Sequence, residues 1–391
     1  MPRRSRRTKD LKGAPLIAQT LRDRIRRGEV AIGAILPTER ELQEEFGVSR
    51  STVRRALASL VESGWAEASP NRGVIAQHGP IEARTRNVAF IDHGDGMQRD
   101  LFFEVGRRLQ MRGYHLVHLD SRIHGVEGSI EYAAEHGFAG ALVWSKVGYP
   151  DASRIQPLMV DMPIVALDHS LQTVATDLVT VDNFGGAREA VRHLARLGRS
   201  RIAITGMMDM LEVNHQRFSG WLIGLFDSGL EPRARDICFC LTSGLPLKPD
   251  TLALERRLAD PDRPDALFLI NDFLLPDVLE AVRRVGLRVP DDLALVAFGR
   301  TWPPVRATEV GITMVDIDWE EMAQATVDRL LLRIARPLLP PETIRLPVRL
   351  TVRGSCGAPR SEWSEEEPEP TSVLPACDMP AEAFARMDRI P

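Results

Sequence analysis

Four cysteines in 391 residues are too few, and too badly spaced, for a disulfide framework or a zinc site. Cys238 and Cys240 flank Phe239 in a strand-like run, so their side chains share a sheet face and read as buried thiols. Cys356 and Cys377 lie in or beside the C-terminal tail, where free thiols suit a reducing compartment. Long apolar runs are missing too, and none approaches the length that crosses a bilayer. The N-terminus, Met1-Pro-Arg-Arg-Ser-Arg-Arg-Thr-Lys9, has no apolar stretch after its charges and so does not read as a signal peptide. That argues against an exported solute receptor; the expectation is a soluble, cytoplasmic protein with no membrane partner. Also lacking are a phosphate-loop glycine pattern, a metal-ligand cluster and a Gly-x-Ser-x-Gly elbow. These absences argue against an enzyme, and no cofactor or metal is expected.

Net charge is small, −4, but unevenly placed. Residues 1–79 carry a net +6 and residues 355–391 a net −5, which leaves −5 for the middle. The basic end would be drawn to phosphate without regard to sequence. Within it, residues 1–13 read as a flexible basic arm.

The basic region contains the most specific local pattern. Thr38 and Glu41 form a capping box that starts a helix, Leu42 and Phe46 share its apolar face, and Gly47 stops it. Ser49 caps a second helix with a buried stripe of Val53, Leu57, Leu60 and Val61. Arg50, Ser51, Arg54 and Arg55 fall off that stripe near the positive helix start, where a DNA groove would meet them. Trp65 to Ile75 then reads strand–turn–strand, with Arg72 at the tip beside Gly73. Upstream, Leu16, Ile17, Leu21 and Ile25 make an amphipathic helix that ends before Gly28.

That order of motifs over about residues 14–76, including Leu36-Pro-Thr-Glu-Arg40 and Gly-Val-Ser-Arg-Ser-Thr-Val-Arg54, closely resembles the GntR family of winged-helix regulators. The resemblance implies that Arg40, Ser49, Arg50, Ser51, Arg54, Arg72 and Gly73 lie at the DNA. Thr52 belongs to the same motif but also fits a buried helix-start role.

From Asn87 the texture changes to short apolar runs alternating with helical stretches, the mark of parallel sheets covered on both faces. Ligands bind such sheets at the carboxyl ends of the strands. Asp92-His93, Asp168-His169 and Asn271-Asp272 stand just after apolar runs, as binding residues should. Further segments resemble the effector domain of the LacI family across roughly 86–354: Asp182-Asn-Phe-Gly-Gly186, Arg217-Phe-Ser-Gly-Trp221, Pro264 to Asp272, and Gly286 to Phe298. The resemblance implies a periplasmic-binding-protein-like fold, two α/β lobes joined by three crossings, with a small molecule, often a sugar, between them. The crossings are expected near 180–184, 312–317 and 336–343, with a final strand over Leu346–Arg353.

By that resemblance Arg217 grips ligand hydroxyls or carboxylates, Asn271 and Asp272 form a polar pair at the cleft, and Asp168 accepts sugar hydroxyls. A surface helix cap for Arg217 and a turn cap for Asp168 remain open alternatives. Asp92 is a weaker candidate in a glycine-bearing loop. Where the family often has an aspartate, this chain has Gly299, followed by Arg300 and Trp302. Trp302 could stack on a sugar ring or pack between lobes, and the two arginines admit an anionic ligand.

The expected organisation is multidomain. A basic arm (1–13) precedes a winged helix-turn-helix (14–77), a linker (78–86), a two-lobed α/β domain (87–354) and a disordered acidic tail (355–391). The function it points to is a homodimeric, ligand-responsive transcription regulator of a repressor type, with an operator duplex and a sugar-like or anionic metabolite as partners. The alternatives are an α/β enzyme acting on a metabolite, or a ligand-binding receptor with an appended DNA-binding head.

Overall fold

A computed structural model describes residues 13–26, 29–62, 64–69, 73–77, 85–93, 99–144, 150–207, 211–243, 248–299, 311–337 and 339–364. The expected basic arm apart from Gly13, most of the linker, the wing tip with Arg72, the segment with Arg300 and Trp302, and residues 365–391 lie outside them.

The N-terminal unit comprises α1 (Ala14–Arg26), α2 (Glu39–Phe46), α3 (Arg50–Glu62), β1 (Ala66–Ser69) and β2 (Gly73–Ala76). β1 and β2 pair antiparallel, Ala66 opposite Ala76 and Ser69 opposite Gly73, which gives the hairpin its wing geometry. A bridge from Ile35 to Ile75 adds the segment before α2 to the wing. Ile17, Leu21, Ile25, Leu36, Leu42, Val53, Ala56, Leu57, Leu60 and Trp65 make one core from all three helices and the hairpin.

The second unit opens with β3 (Asn87–Asp92), α4 (Arg99–Met111), β4 (His115–Asp120), α5 (Ser121–Glu135) and β5 (Gly140–Val143). It continues through α6 (Ala152–Ile155), β6 (Ile164–Leu167), β7 (Asp177–Val181), α7 (Asn183–Arg196) and β8 (Ile202–Met207). Next come α8 (Glu212–Asp227), β9 (Ile237–Ser243), β10 (Lys248–Asp250), α9 (Leu252–Ala259), β11 (Ala266–Leu269) and α10 (Leu275–Arg284). The unit closes with β12 (Ala294–Phe298), β13 (Thr313–Asp316), α11 (Trp319–Ala335), β14 (Thr343–Leu346) and β15 (Arg349–Thr351).

Two sheets result, in the orders β14-β7-β6-β5-β3-β4 and β10-β9-β8-β11-β12-β13-β15. All pairs of the first sheet are parallel, and the central strands of the second are as well. The central strands are largely apolar and buried, as at Ala141–Val143, Phe268 and Val296, because helices cover both faces, while the edge strands β4 and β14 are partly exposed.

The chain changes sheet three times. It leaves the first after β7 at Asp182, returns between β13 and α11, and leaves again between β14 and β15 at Pro347 and Val348. The first two changes lie at or close to the expected places. The third does not: it falls after residue 346, past the expected 336–343. The expected strand over 346–353 appears as the shorter β15, and β14, which ends at residue 346, precedes it in the other sheet. β14 pairs with β7 in one sheet and β15 with β13 in the other. Pro347 separates them, having no N–H to continue a ladder.

Residues 355–364, expected to begin the tail, instead pack on the second sheet. Cys356 is fully buried against His193, 3.3 Å from Nε2 to Sγ, and Trp363 packs on the same core. Ser355 accepts from the Thr313 amide at 2.8 Å and donates to the Leu295 carbonyl at 2.7 Å. The low hydrophobicity of the whole tail hid the few apolar residues at its start.

Candidate functional site

Helices α2 and α3 of the N-terminal unit are joined as their capping chemistry dictates. The Thr38 hydroxyl accepts from the Glu41 amide while the Glu41 carboxylate accepts from the Thr38 amide at 2.7 Å. Gly47 ends α2 in the left-handed region (φ 63°, ψ 35°), and its N–H donates to the Gln43 carbonyl. Ser49, just ahead of α3, accepts from the Thr52 amide at 3.4 Å and meets the Ser51 and Thr52 hydroxyls, each at 2.9 Å.

With Val53, Ala56, Leu57 and Leu60 turned into the core, α3 presents Arg50, Ser51, Arg54 and Arg55 to solvent. Arg50 Nε and Arg54 Nε both donate to the Glu39 carboxylate, at 2.6 and 2.9 Å, across the helix pair. Those two bonds hold the Glu39 carboxyl below its ordinary range. Arg40 is more exposed than Arg50 or Arg54 and pairs at 3.5 Å with Glu44 one turn on. Thr52 is half-buried and tied to Ser49, which accords with a helix-start role. Gly73 begins the second wing strand at φ 91°; Arg72 lies outside the described residues.

In the second unit one polar cluster forms where β8, β11 and β12 end. Arg217, inside α8, is buried; it donates from Nε to Asn183 Oδ1 at 2.8 Å and from Nη1 to the Ile270 carbonyl at 2.6 Å. Its guanidinium lies 4.0 Å over the Phe298 ring. The surface-cap alternative is therefore excluded: α8 starts at Glu212, five residues before Arg217. Asn271 Oδ1 accepts from the Met207 amide at 2.7 Å, and its Nδ2 donates to Asn214 Oδ1 at 2.9 Å. Asp272 follows. Burial pushes its carboxyl up to about 6, against the opposing pull of the Arg217 charge.

Gly299 explains its own presence here. At φ 123° a Cβ on it would stand 2.5 Å from the Asp272 carboxyl carbon.

The remaining candidates lie at the ends of the first sheet's strands. Asp92 is buried at the end of β3 and accepts from His118 Nε2 at 2.6 Å. Asp168 follows β6 in a left-handed conformation (φ 68°), rare for a residue with a side chain, and its carbonyl accepts from the Thr180 hydroxyl. The described contacts bring Arg217, Asn271 and Asp272 together but do not join Asp92 or Asp168 to them. Trp302 lies outside the described residues. Asn183 and Asn214 were not singled out from the sequence, although Asn214 is three residues before Arg217 and so shares its helix face.

A model of bacterial regulatory proteins of the gntR family matches residues 16–75, and a model of the periplasmic binding protein-like domain matches residues 191–356. The chain thus carries a gntR-family domain at its N-terminal end and a periplasmic-binding-protein-like domain after it. An arabinose metabolism transcriptional repressor from Halalkalibacterium halodurans is 25% identical over 323 residues, 78% of this chain and 85% of that protein. The ribose operon repressor of Escherichia coli K12 is 23% identical over 82% of this chain and 100% of its own length. The crystal structure of a LacI family transcriptional regulator from Enterococcus faecium, with bound ribose, shares the fold. It superposes with a TM-score of 0.58 at 19% identity, over 69% of this chain and 98% of that one.

No helix among the described residues is long and apolar enough to cross a membrane. Nor is there among them a group of three His, Cys, Asp or Glu able to hold a metal ion.

Proposed function

We propose that the protein is a homodimeric cytoplasmic repressor whose operator affinity is set by a sugar or sugar derivative, and that it is not an enzyme. Residues 14–77 are the DNA-reading head and residues from 87 onward the sensor. Arg40, Ser49, Arg50, Ser51, Arg54, Arg72 and Gly73 meet the DNA, with Thr52 supporting the helix start. Arg217, Asn271 and Asp272 bind the effector, with Asp92, Asp168 and Trp302 contributing from other strand ends and loops.

The observation that carries this reading is the polar cluster at the ends of β8, β11 and β12, in a chain whose head turns Arg50 and Arg54 outward. An arginine fork, an amide and a carboxylate together offer donors and acceptors to vicinal hydroxyls. A sugar bound between the lobes would favour one lobe arrangement, and the dimer would pass that preference to two heads on a near-palindromic operator.

The test is a thermal-shift screen of pentoses, hexoses, sugar acids and nucleosides, followed by DNA-binding titrations with each hit, since a bound ligand raises stability by mass action. One hit that both raises the midpoint and alters DNA affinity is the expected result. Chemical turnover of a hit by the purified protein would favour the enzyme reading instead. Light scattering should give a mass of two 43.6-kDa chains.

A further inference from the structure

Glu39 opens α2, but its carboxylate is engaged by α3. Oε2 accepts from Arg50 Nε at 2.6 Å and Oε1 from Arg54 Nε at 2.9 Å. The two arginines stand one turn apart, away from the buried Val53 and Leu57. Their side chains stay 65% and 62% exposed, while that of Glu39 is 30% exposed.

We propose that Glu39 is a specificity-determining positioning residue for DNA readout, clamping the two outward arginines of α3 by Nε so that their terminal guanidinium edges are presented in fixed directions. The inference rests on the DNA-binding reading of the head.

The physical reasons are two. A guanidinium is a planar fork, so fixing Nε fixes the plane in which Nη1 and Nη2 lie. That end-on edge is the one that can span guanine O6 and N7. A fork oriented beforehand loses less freedom on meeting the correct base, but gains nothing on a base that needs another orientation. The clamp also places a negative charge among the arginines, which reduces sequence-independent attraction to phosphate. Both effects widen the gap between specific and nonspecific binding. Nothing in the local sequence reveals the clamp, because its partners are 11 and 15 residues away on another helix.

The test compares full-length wild type with Glu39→Gln on two probes, a random-sequence duplex and a duplex recovered by the wild type from a randomised pool. The variant should bind the random duplex more tightly, with a salt slope steeper by up to about one unit. Its preference for the recovered duplex should fall at least about fivefold. Equal changes on both duplexes, or no change, would overturn the proposal, with matching thermal midpoints ruling out a folding effect. Without DNA, the Arg50 and Arg54 Nε–H resonances should be protected from exchange in wild type and lose protection in Glu39→Gln. Unchanged resonances would also overturn the proposal. Failure of the wild type to recover any duplex would instead overturn the DNA reading, and this inference with it.

Discussion

A Cβ on Gly299 would stand 2.5 Å from the Asp272 carboxyl carbon, so the bare backbone there leaves that group room in its present position. Burial then keeps that carboxylate hard to ionise, at about 6 against an ordinary 3.8, while Arg217 pulls it the other way. With the folded value above the unfolded one, the native state holds the proton more tightly. The stability this contributes is complete below about pH 4 and is lost as the pH rises through about 6. Relative to Asp272→Asn, which carries no titrating group, the wild-type melting midpoint should therefore fall between about pH 4 and about pH 7 and then level off. Parallel midpoints across that window would contradict the buried carboxyl. A ligand hydroxyl donating to ionised Asp272 would offset the cost of burying its charge, so effector affinity should rise over the same interval.

Elements, in contrast, were legible to the extent that their ends are local chemistry. Thr38 and Glu41 at one end of α2 and Gly47 at the other are three and six residues apart, and the structure uses all three as the sequence implies. Strand–helix alternation was legible for the same reason, since each apolar run is bounded by its own turn. The pairing of α7 with α8 was not. These helices pack through Gly220 and Gly224, where added Cβ atoms would stand 2.4 Å from the Phe184 carbonyl oxygen and 2.8 Å from Val191 Cβ. Nothing in α8 alone says which helix needs that room. Gly220→Ala should push the two helices apart and cost about 1–3 kcal/mol, measured by urea denaturation. The nearby ion pair of Arg188 with Asp227 is exposed and would not compensate. An unchanged denaturation midpoint would show that the contact can relax.

At the scale of the molecule, the C-terminal end of the described chain acts as a strap. Ser355, Cys356 and Ala358 are buried against α7 and the second sheet with Trp363 partly buried beside them, and the Ser364 hydroxyl accepts from the Val352 amide at 2.9 Å. A chain ending at Arg353 would leave the Thr313 amide without its Ser355 acceptor and uncover the apolar surface around His193. Its melting midpoint should drop by several degrees relative to the full chain, as expected when a buried donor and apolar area are exposed together. Equal midpoints would mean that residues 354–364 only rest on the domain. A second long-range device ties α11 to the first sheet. Buried Asp177 lies 2.5 Å from Arg329 and 2.9 Å from Arg333, and Arg329 also reaches Glu342 at 2.5 Å. The network holds β7, α11 and the approach to β14 together, at the opposite end of β14 from the third change of sheet.

The sequence by itself determined the caps, the turn glycine, the outward arginines of α3 and the alternation of buried strands with helices. Each of these depends on residues a few positions apart, whose preferences act before any long-range contact forms. Only the tertiary structure decided which sheet each late strand joins, where the third crossing falls, and that residues 355–364 fold inward. The same holds for the clamp of Glu39 on Arg50 and Arg54, and for the cluster of Asn183, Arg217, Asn271 and Asp272. These depend on which buried surfaces meet and which polar groups must then find partners, a choice made between segments far apart in the chain.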